Sequence, residues 1–468
     1  MYDLLIKNGT IVTEETEYDS HIYIKSGKIE LITQNLLDVE AAETVDAAGQ
    51  YILPGLMDTH IHSRDKGATH KEDFYHSTMA AVAGGITTVF EMPNTNPPVN
   101  NVDNFRRQVD NLTEKAFCNF GLWGICLGDL NNKDIKGLSD EGVIGFKYFW
   151  GYAIDENTYQ LIYNYHDSME GVISPYDDGQ VYKMFEEVTK TGKVLAIHAE
   201  NSELINYLDG KEAAEGLNEY DAAVAARPSL AEELTIQTGI SFSKELGTRL
   251  HILHISSKEG VDLVAQAQAQ GLNVTGETCP HYLYLTNEDF EEIGNMMKAY
   301  PLVKFEDDQE RLWKGIDQGT ISLVCSDHAP HTEEEKTGDF NQIPAGMCGI
   351  ETLVPLMLNA VSEGRLTLQN IVSLLSSEPS KLFDLYPNKG TLHAGSDADL
   401  TIVDMNKEKI IKKDELHSKS KVTAYHGFKV RGLPVATIVN GKIVMSNGEI
   451  VGEPSGELVK PYNSGERV

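Results

Sequence analysis

Four histidines, one lysine and one aspartate are spaced along this 468-residue chain in a pattern that ordinary core packing does not call for. His60 and His62 stand two apart in DTHIH. On an extended strand Asp58, His60 and His62 therefore share a face, and two imidazoles converge on one cation. An isolated His-x-His is equally at home as a hydrogen-bonded pair at a strand end. What favours a metal is recurrence: His198 in LAIHAEN, His254 in HILHISS and Asp327 in SDHAP each end an apolar run. Taken singly, each histidine reads as a satisfied core residue and Asp327 as a turn cap. Asp327 so placed also suits metal binding and proton transfer. Lys147 lies inside the apolar stretch 144–150, where an unpaired ammonium is costly. Either it snorkels or pairs with a carboxylate, or it is a desolvated neutral amine, which carbon dioxide converts to an anionic carbamate able to bridge two metals. His251 sits at an odd offset from His254 and is expected on the opposite face, in a structural role. His281 and His328 remain open.

Such residues need a frame. Eight apolar strand-like runs occupy residues 53–385: ILPGLMDTHIH, ITTVFEMPN, FGLWGIC, GVIGFKYFW, KVLAIHAE, RLHILHIS, NVTGETCPH and ISLVCSDHAP. Amphipathic helical stretches such as VYKMFEEVTKTG and KEGVDLVAQAQAQG alternate with them. That alternation implies parallel βα units and an α/β fold, a (β/α)8 TIM barrel whose active face is the C-terminal rim of the strands. Five of the eight strand ends carry the residues above. Residues 1–52 and 386–468 have another texture, with short β-branched strands broken by Gly and Asn. We read them as two halves of one small β-sandwich-like domain, with the barrel of residues 53–385 between them.

Asp and Glu number 71 against 39 Lys and Arg, a formal net charge of −32. Such a chain repels phosphate-rich partners, which argues against nucleic acid and anionic membrane. Hydrophobic content of 41% with 24% charged residues, and no long apolar run, describes a soluble globular protein. Five cysteines, an odd count without a CxxC pair, and a start lacking a secretory signal pattern point to the cytoplasm.

Together DTHIH, GFKYFW, IHAEN, LHISS and SDHAP, in this order and spacing, resemble the amidohydrolase superfamily and within it the cyclic amidohydrolases: dihydroorotases, allantoinases, hydantoinases and dihydropyrimidinases. The resemblance spans essentially the whole chain, to GEIVGEPSGE near its end. It implies two divalent metal ions, usually zinc, one held by His60, His62 and Asp327, the other by His198 and His254, with carbamylated Lys147 between them. It assigns Asp327 the proton transfer from the water nucleophile to the leaving ring nitrogen, and it implies a small cyclic amide or ureide substrate and a homo-oligomer, dimer or tetramer. Some relatives of dihydropyrimidinases have lost ligands and serve as structural assemblies; here every implied ligand is present.

The resemblance divides over the substrate. GVIGFK, AARPSLAEEL and SEPSKLFDLYPNKGTL are similar to allantoinases, whose ring carries no carboxylate. Three substrate-facing motifs are similar to dihydroorotases: HSR followed by KEDF, MPNT, and DHAPH followed by TEEEK. In those enzymes the matching Arg, Asn and His grip a carboxylate, which implies that role for Arg64, Asn94 and His331; a guanidinium fork suits a carboxylate better than a neutral ureide. HSRDKG and AYPLVK depart from the dihydroorotase pattern. The loop 344–349 is expected to add backbone contacts. A dihydroorotase-type substrate is the first expectation, and an allantoinase or hydantoinase the alternative. In a chain of net charge −32, an anionic substrate demands local positive charge at the site.

Overall fold

The computed structural model describes residues 1–163, 165–166, 168–209 and 217–462. All eight expected runs form barrel strands: Leu56–Ile61, Ile86–Glu91, a third in two pieces (Asn119–Leu122 and Gly124–Ile125), Phe146–Trp150, Val194–Ala199, Arg249–Ile252, Val274–Thr278 and Leu323–Val324. Neighbours pair in parallel along two runs. Trp123 divides the third strand, and its N–H donates to Glu91 O at 3.1 Å while its indole Nε1 donates to Thr59 O at 3.1 Å, so the break is bonded on both sides. The barrel closes where His62 N–H donates to His328 O at 2.7 Å, beside the Ile61–His328 bridge. These strands are buried on both faces, which is why they read as near-continuous apolar runs.

A helix follows each strand: Phe74–Ala83, Val102–Thr113, Ile135–Glu141, Asp178–Thr189, Ser229–Leu246, Lys258–Ala269, Glu306–Asp317 and Ile350–Ser362. Their starts are written in the sequence. Asp73, Asn101, Asp177 and Ser257 each accept a backbone N–H of the first turn, and Asp177 with Gln180 completes a capping box.

The β-rich ends join in a single nine-stranded sheet. Tyr51–Pro54 runs parallel to Tyr2–Val12 on one side and antiparallel to Leu400–Ile410 on the other, so chain ends far apart in sequence are adjacent strands. Leu4, Ile6, Ile22 and Ile52 from one end and Leu400, Ile402 and Ile438 from the other share an apolar core separate from that of the barrel. Asp399 ties this sheet to the barrel, accepting from Asn119 Nδ2 at 3.0 Å and Asn440 N at 2.8 Å while its carbonyl takes Gly55 N–H at 2.8 Å. The chain then returns to the barrel floor, where Phe120 N–H donates to Glu457 O at 3.0 Å and Val459 N–H to Phe120 O at 2.8 Å. A side chain at Gly456 would run into Cys118 O, with its Cβ only 1.8 Å away, so this return needs glycine.

Candidate active site

Strand register delivers the polar groups to one rim. Lys147 is opposite Ala196 and Phe149 opposite His198 in the pairing of the fourth and fifth strands, so Lys147 and His198 face the same interior. His60 Nε2 lies 3.3 Å and His62 Nε2 3.7 Å from Asp327 Oδ1. His198 Nδ1 lies 3.0 Å from His254 Nε2. The rings of His60 and His254 are 5.4 Å apart, which makes the two groups one cluster. Lys147 is fully buried and its Nζ has no hydrogen-bond partner; it lies 4.4 Å from the ring centre of Phe149. Burial draws the Lys147 amine down to about 8 and pushes the Asp327 carboxyl up to about 7, the latter against the pull of Lys147. Burial and the Lys147 charge hold His60 down at about 4, and burial lowers His62, His198 and His254 too, which favours the neutral rings that offer lone pairs.

Each imidazole but one has a neighbour that fixes which nitrogen faces the cluster. His60 Nδ1 bonds Glu277 Oε1 at 2.8 Å, His62 Nδ1 bonds Asn94 Oδ1 at 2.8 Å, and His198 Nε2 bonds Glu200 Oε2 at 3.0 Å. The outward nitrogen therefore carries the proton and the inward one the lone pair. Glu200 is itself held by Arg227 at 2.6 Å, and the Tyr152 hydroxyl lies 3.2 Å from His198 Nε2. His254 Nδ1 has no partner. Burial alone would raise the Glu277 carboxyl, but hydrogen bonds from His251 and His60 outweigh it and hold the group well below the usual carboxylate range.

Glu277, Glu200, Arg227 and Tyr152 escape sequence reasoning, although Glu277 left a trace: a carboxylate in the middle of a strand run, two residues from Thr275 on the same face. The expectation for His251 needs correcting. Register pairs it with Ala196, which puts it inside the barrel, where its Nε2 bonds Glu277 Oε2 at 3.2 Å. The strand ends at Ile252 and the positive φ of His254, 35°, breaks the alternation, so both histidines face inward at different depths. His281 and His328 stand outside the cluster. The His281 ring packs on Tyr282 at 4.2 Å, and His328 Nδ1 accepts Gly349 N–H at 3.3 Å.

Arg64, Asn94 and His331 line one adjoining cavity of about 510 Å³, and Arg64 lines the cluster as well. Arg64 adopts the left-handed backbone conformation, φ 63°, between two anchors. Ser63 N–H donates to both oxygens of Glu91 at 3.1 and 3.0 Å. Asp65 takes Lys115 Nζ at 2.6 Å, Asn111 Nδ2 at 3.0 Å and Phe74 N–H at 3.2 Å. The guanidinium donates to Pro330 O at 3.2 Å and lies 3.3 Å from His331 Nε2. Lys66 and Lys71 line the same cavity, with Glu335 as the acidic member. A positive pocket thus exists within a strongly acidic chain. In the loop 344–349, Ala345 O lies 3.0 Å from His331 Nε2. Two buried lysines pin that loop, Lys336 Nζ donating to Lys298 O, Pro344 O and Gly346 O at 3.0–3.1 Å, and Lys298 Nζ to Phe340 O and Ile343 O at 2.5 and 2.8 Å.

An eight-stranded barrel with histidines, a buried lysine and an aspartate gathered at its rim defines a class, and comparison with known proteins names it. Residues 51–444 match the model of the amidohydrolase family, and the chain belongs to that family. More narrowly, it is a cyclic amidohydrolase of the hydantoinase, allantoinase and dihydroorotase type. The solved L-hydantoinase (dihydropyrimidinase) from Arthrobacter aurescens superposes with a TM-score of 0.91 at 34% identity, covering 98% of this chain and 100% of that one. The allantoinase of Streptomyces avermitilis is 33% identical over 98% of both chains. The dihydroorotase of Pyrococcus abyssi is 35% identical over 97% of this chain and 96% of its own. Amidohydrolases generally use binuclear metal centres. Among the described residues no helix is long and apolar enough to cross a membrane.

Proposed function

We propose that this enzyme hydrolyses a ring C–N bond in a cyclic ureide that carries a carboxylate, dihydroorotate being the type, with two divalent metals at the rim. The residues present fit a metal pair: Nε2 of His60, Nε2 of His62 and Oδ1 of Asp327 converge, Nδ1 of His198 meets Nε2 of His254, and the buried Lys147 Nζ, on the same cavity, has no partner. His60, His62 and Asp327 would hold one ion, His198 and His254 the other, with carbamylated Lys147 shared; zinc suits this nitrogen and oxygen set. A bound pair supplies a nucleophilic water near neutral pH and polarises the ring carbonyl. The chain does the rest. Burial favours the neutral Lys147 amine that carbon dioxide carbamylates, with loss of one proton. Asp327, whose carboxylate lies beside His60 and His62, takes the proton of the attacking water and returns it to the departing ring nitrogen.

The observation that carries the substrate choice is the positive cavity of Arg64, Lys66 and Lys71 beside the cluster, with His331 and Asn94 on its wall. A neutral ring has no use for that charge. A second reading, a hydantoinase or allantoinase acting on a neutral ring, is favoured by similarity along the whole chain to enzymes of those names. Ring opening measured on dihydroorotate, allantoin, hydantoin and dihydrouracil tests both. The first reading expects dihydroorotate to give the highest kcat/KM, and a preference for a neutral ring overturns it.

The same proposal takes residues 53–385 as the catalytic domain and 1–52 with 386–468 as the small domain, supported by the nine-stranded sheet that the two chain ends share and by its own apolar cluster. It also takes the enzyme as a cytoplasmic homo-oligomer, dimer or tetramer. Five free buried cysteines support the compartment, and exposed Leu230 and Leu234, one turn apart on Ser229–Leu246, support self-association. Sedimentation at micromolar concentration reads the oligomer directly.

A further inference from the structure

Four groups meet at His331, and a single imidazole cannot satisfy them all. Its Nδ1 lies 3.2 Å from Lys71 Nζ and 3.3 Å from Glu335 Oε2; its Nε2 lies 3.0 Å from Ala345 O and 3.3 Å from Arg64 Nη2. A neutral ring carries one proton. With the proton on Nδ1, the ring donates to Glu335 and accepts from Arg64, leaving Lys71 facing a donor and Ala345 O facing a lone pair. With the proton on Nε2, it donates to Ala345 O and accepts from Lys71, and Arg64 loses its acceptor. Protonating both nitrogens would place a third cation between Lys71 and Arg64. Burial, with the charges of Arg64 and Lys71, holds the imidazole down at about 3. His331 is therefore neutral, with two tautomers that each satisfy two neighbours of four. Lys71 and Glu335 stay in place because they pair with each other at 2.8 Å.

Resting on the carboxylate-ring reading above, we propose that this frustrated histidine is the device that recognises the substrate anion, and that Lys71 and Glu335 are positioning residues acting through it. Without an anion the Nδ1–H tautomer gives Arg64 an internal acceptor. An arriving carboxylate selects the Nε2–H tautomer, in which the imidazole donates to Ala345 O and accepts from Lys71, and the Arg64 guanidinium, its internal acceptor withdrawn, donates toward the anion. The proton leaves one ring nitrogen and returns to the other through solvent, so anion binding takes up no net proton. Lys71 tips His331 toward the anion-binding state and Glu335 tips it away. Specificity then lies partly in residues that need not touch the substrate.

The test combines a double-mutant cycle with imidazole 15N spectroscopy on the full-length holoenzyme. Lys71→Met should raise KM for dihydroorotate about tenfold with kcat within about twofold, and the same change in a His331→Gln background should move KM by less than about twofold. Lys71→Arg, which keeps a donor, should restore KM to within about threefold. In 15N-histidine spectra, with His331→Gln supplying the assignment, orotate or acetate should shift the His331 signals to the Nε2–H pattern, and Lys71→Met should hold them in the Nδ1–H pattern. Effects of Lys71→Met and His331→Gln that multiply overturn the proposal, as does a tautomer indifferent to both anions. If the wild type opens only neutral rings, the carboxylate reading falls. The acetate titration still decides the tautomer switch, because it does not depend on turnover.

Discussion

The two halves of the site are built differently. The metal-facing half hangs on barrel strands: Lys147, His198 and their register partners are fixed by parallel pairing, and His60 and His62 sit where the first strand closes onto the eighth. The anion-facing half hangs on loops. Arg64 is held in a left-handed turn by Glu91 and Asp65, and His331 lies between a lysine–glutamate pair and a loop pinned by Lys336. A strand-borne group such as His198 has one neighbour set; the loop-borne His331, though neutral, has two sets of neighbours that its two tautomers satisfy in turn. The comparison teaches how one barrel serves several rings. On the proposed assignment, the reaction rests on groups at the strand ends and the choice of substrate on the loops beside them.

The largest expected effect breaks the strand half alone. Purified enzyme should hold about two divalent ions per chain, and chelation should reduce turnover of every ring to background, reversibly on readdition of metal. Lys147→Ala should lose most metal and activity together, with partial recovery in short carboxylic acids that occupy the gap. A fully active metal-free enzyme would contradict the whole metal assignment. Next in size is Asp327→Asn, expected to slow kcat by roughly two to four orders of magnitude while substrate still binds, because the carboxyl proposed to move the proton is gone. Single-turnover measurement separates that loss from any change in release.

Arg64→Met strikes the loop half. It should reduce kcat/KM for dihydroorotate by about 2–4 kcal/mol in ΔΔG‡, as a desolvated charge-assisted contact disappears. A neutral ring should be affected far less, and equal losses on both would return Arg64 to a scaffold role.

How far each half is legible in the sequence follows from the same difference. Period-two alternation marks His60 and His62, the apolar setting of residues 144–150 marks Lys147, and eight alternating runs imply the barrel that holds them. The alternation fails at His254, where a positive φ after a short strand turns the side chain inward and makes the opposite-face expectation for His251 wrong. Glu277 and Glu200 stay hidden because a buried carboxylate and an exposed one are written with the same letter; only neighbours such as His60, His251 and Arg227 distinguish them. Arg64, Asn94 and His331 are legible by resemblance to motifs, not by periodicity, since loops have none. Lys71 and Glu335 belong to the stretches KEDF and TEEEK, but nothing in their spacing says that they meet at one imidazole. Grouping the chain ends as one small β domain is an expectation read from texture; their joining in a single sheet is not legible. Nor are its exact partners, such as Asp399 with Asn119.

The smallest expected effects sharpen the comparison best, because they touch supports rather than working groups. Glu277 supports the strand half, accepting from His60 and His251 within a fully buried layer. Asp65 supports the loop half, accepting from Lys115, Asn111 and the Phe74 backbone beside Arg64. Glu277→Gln keeps the shape but removes the charge that orders His60, so metal affinity should weaken about 10–100-fold, with equal loss on every ring at limiting metal. Asp65→Asn should leave metal affinity unchanged and raise KM for the carboxylate ring by only about three- to tenfold, because a loosened turn aims Arg64 less often without removing it. Metal competition and paired KM measurements on both variants read the two effects independently. A metal loss in Asp65→Asn, or a selective KM effect in Glu277→Gln, would mean that strand and loop halves are one mechanical unit, and that substrate choice is not separable from the metal centre in this barrel.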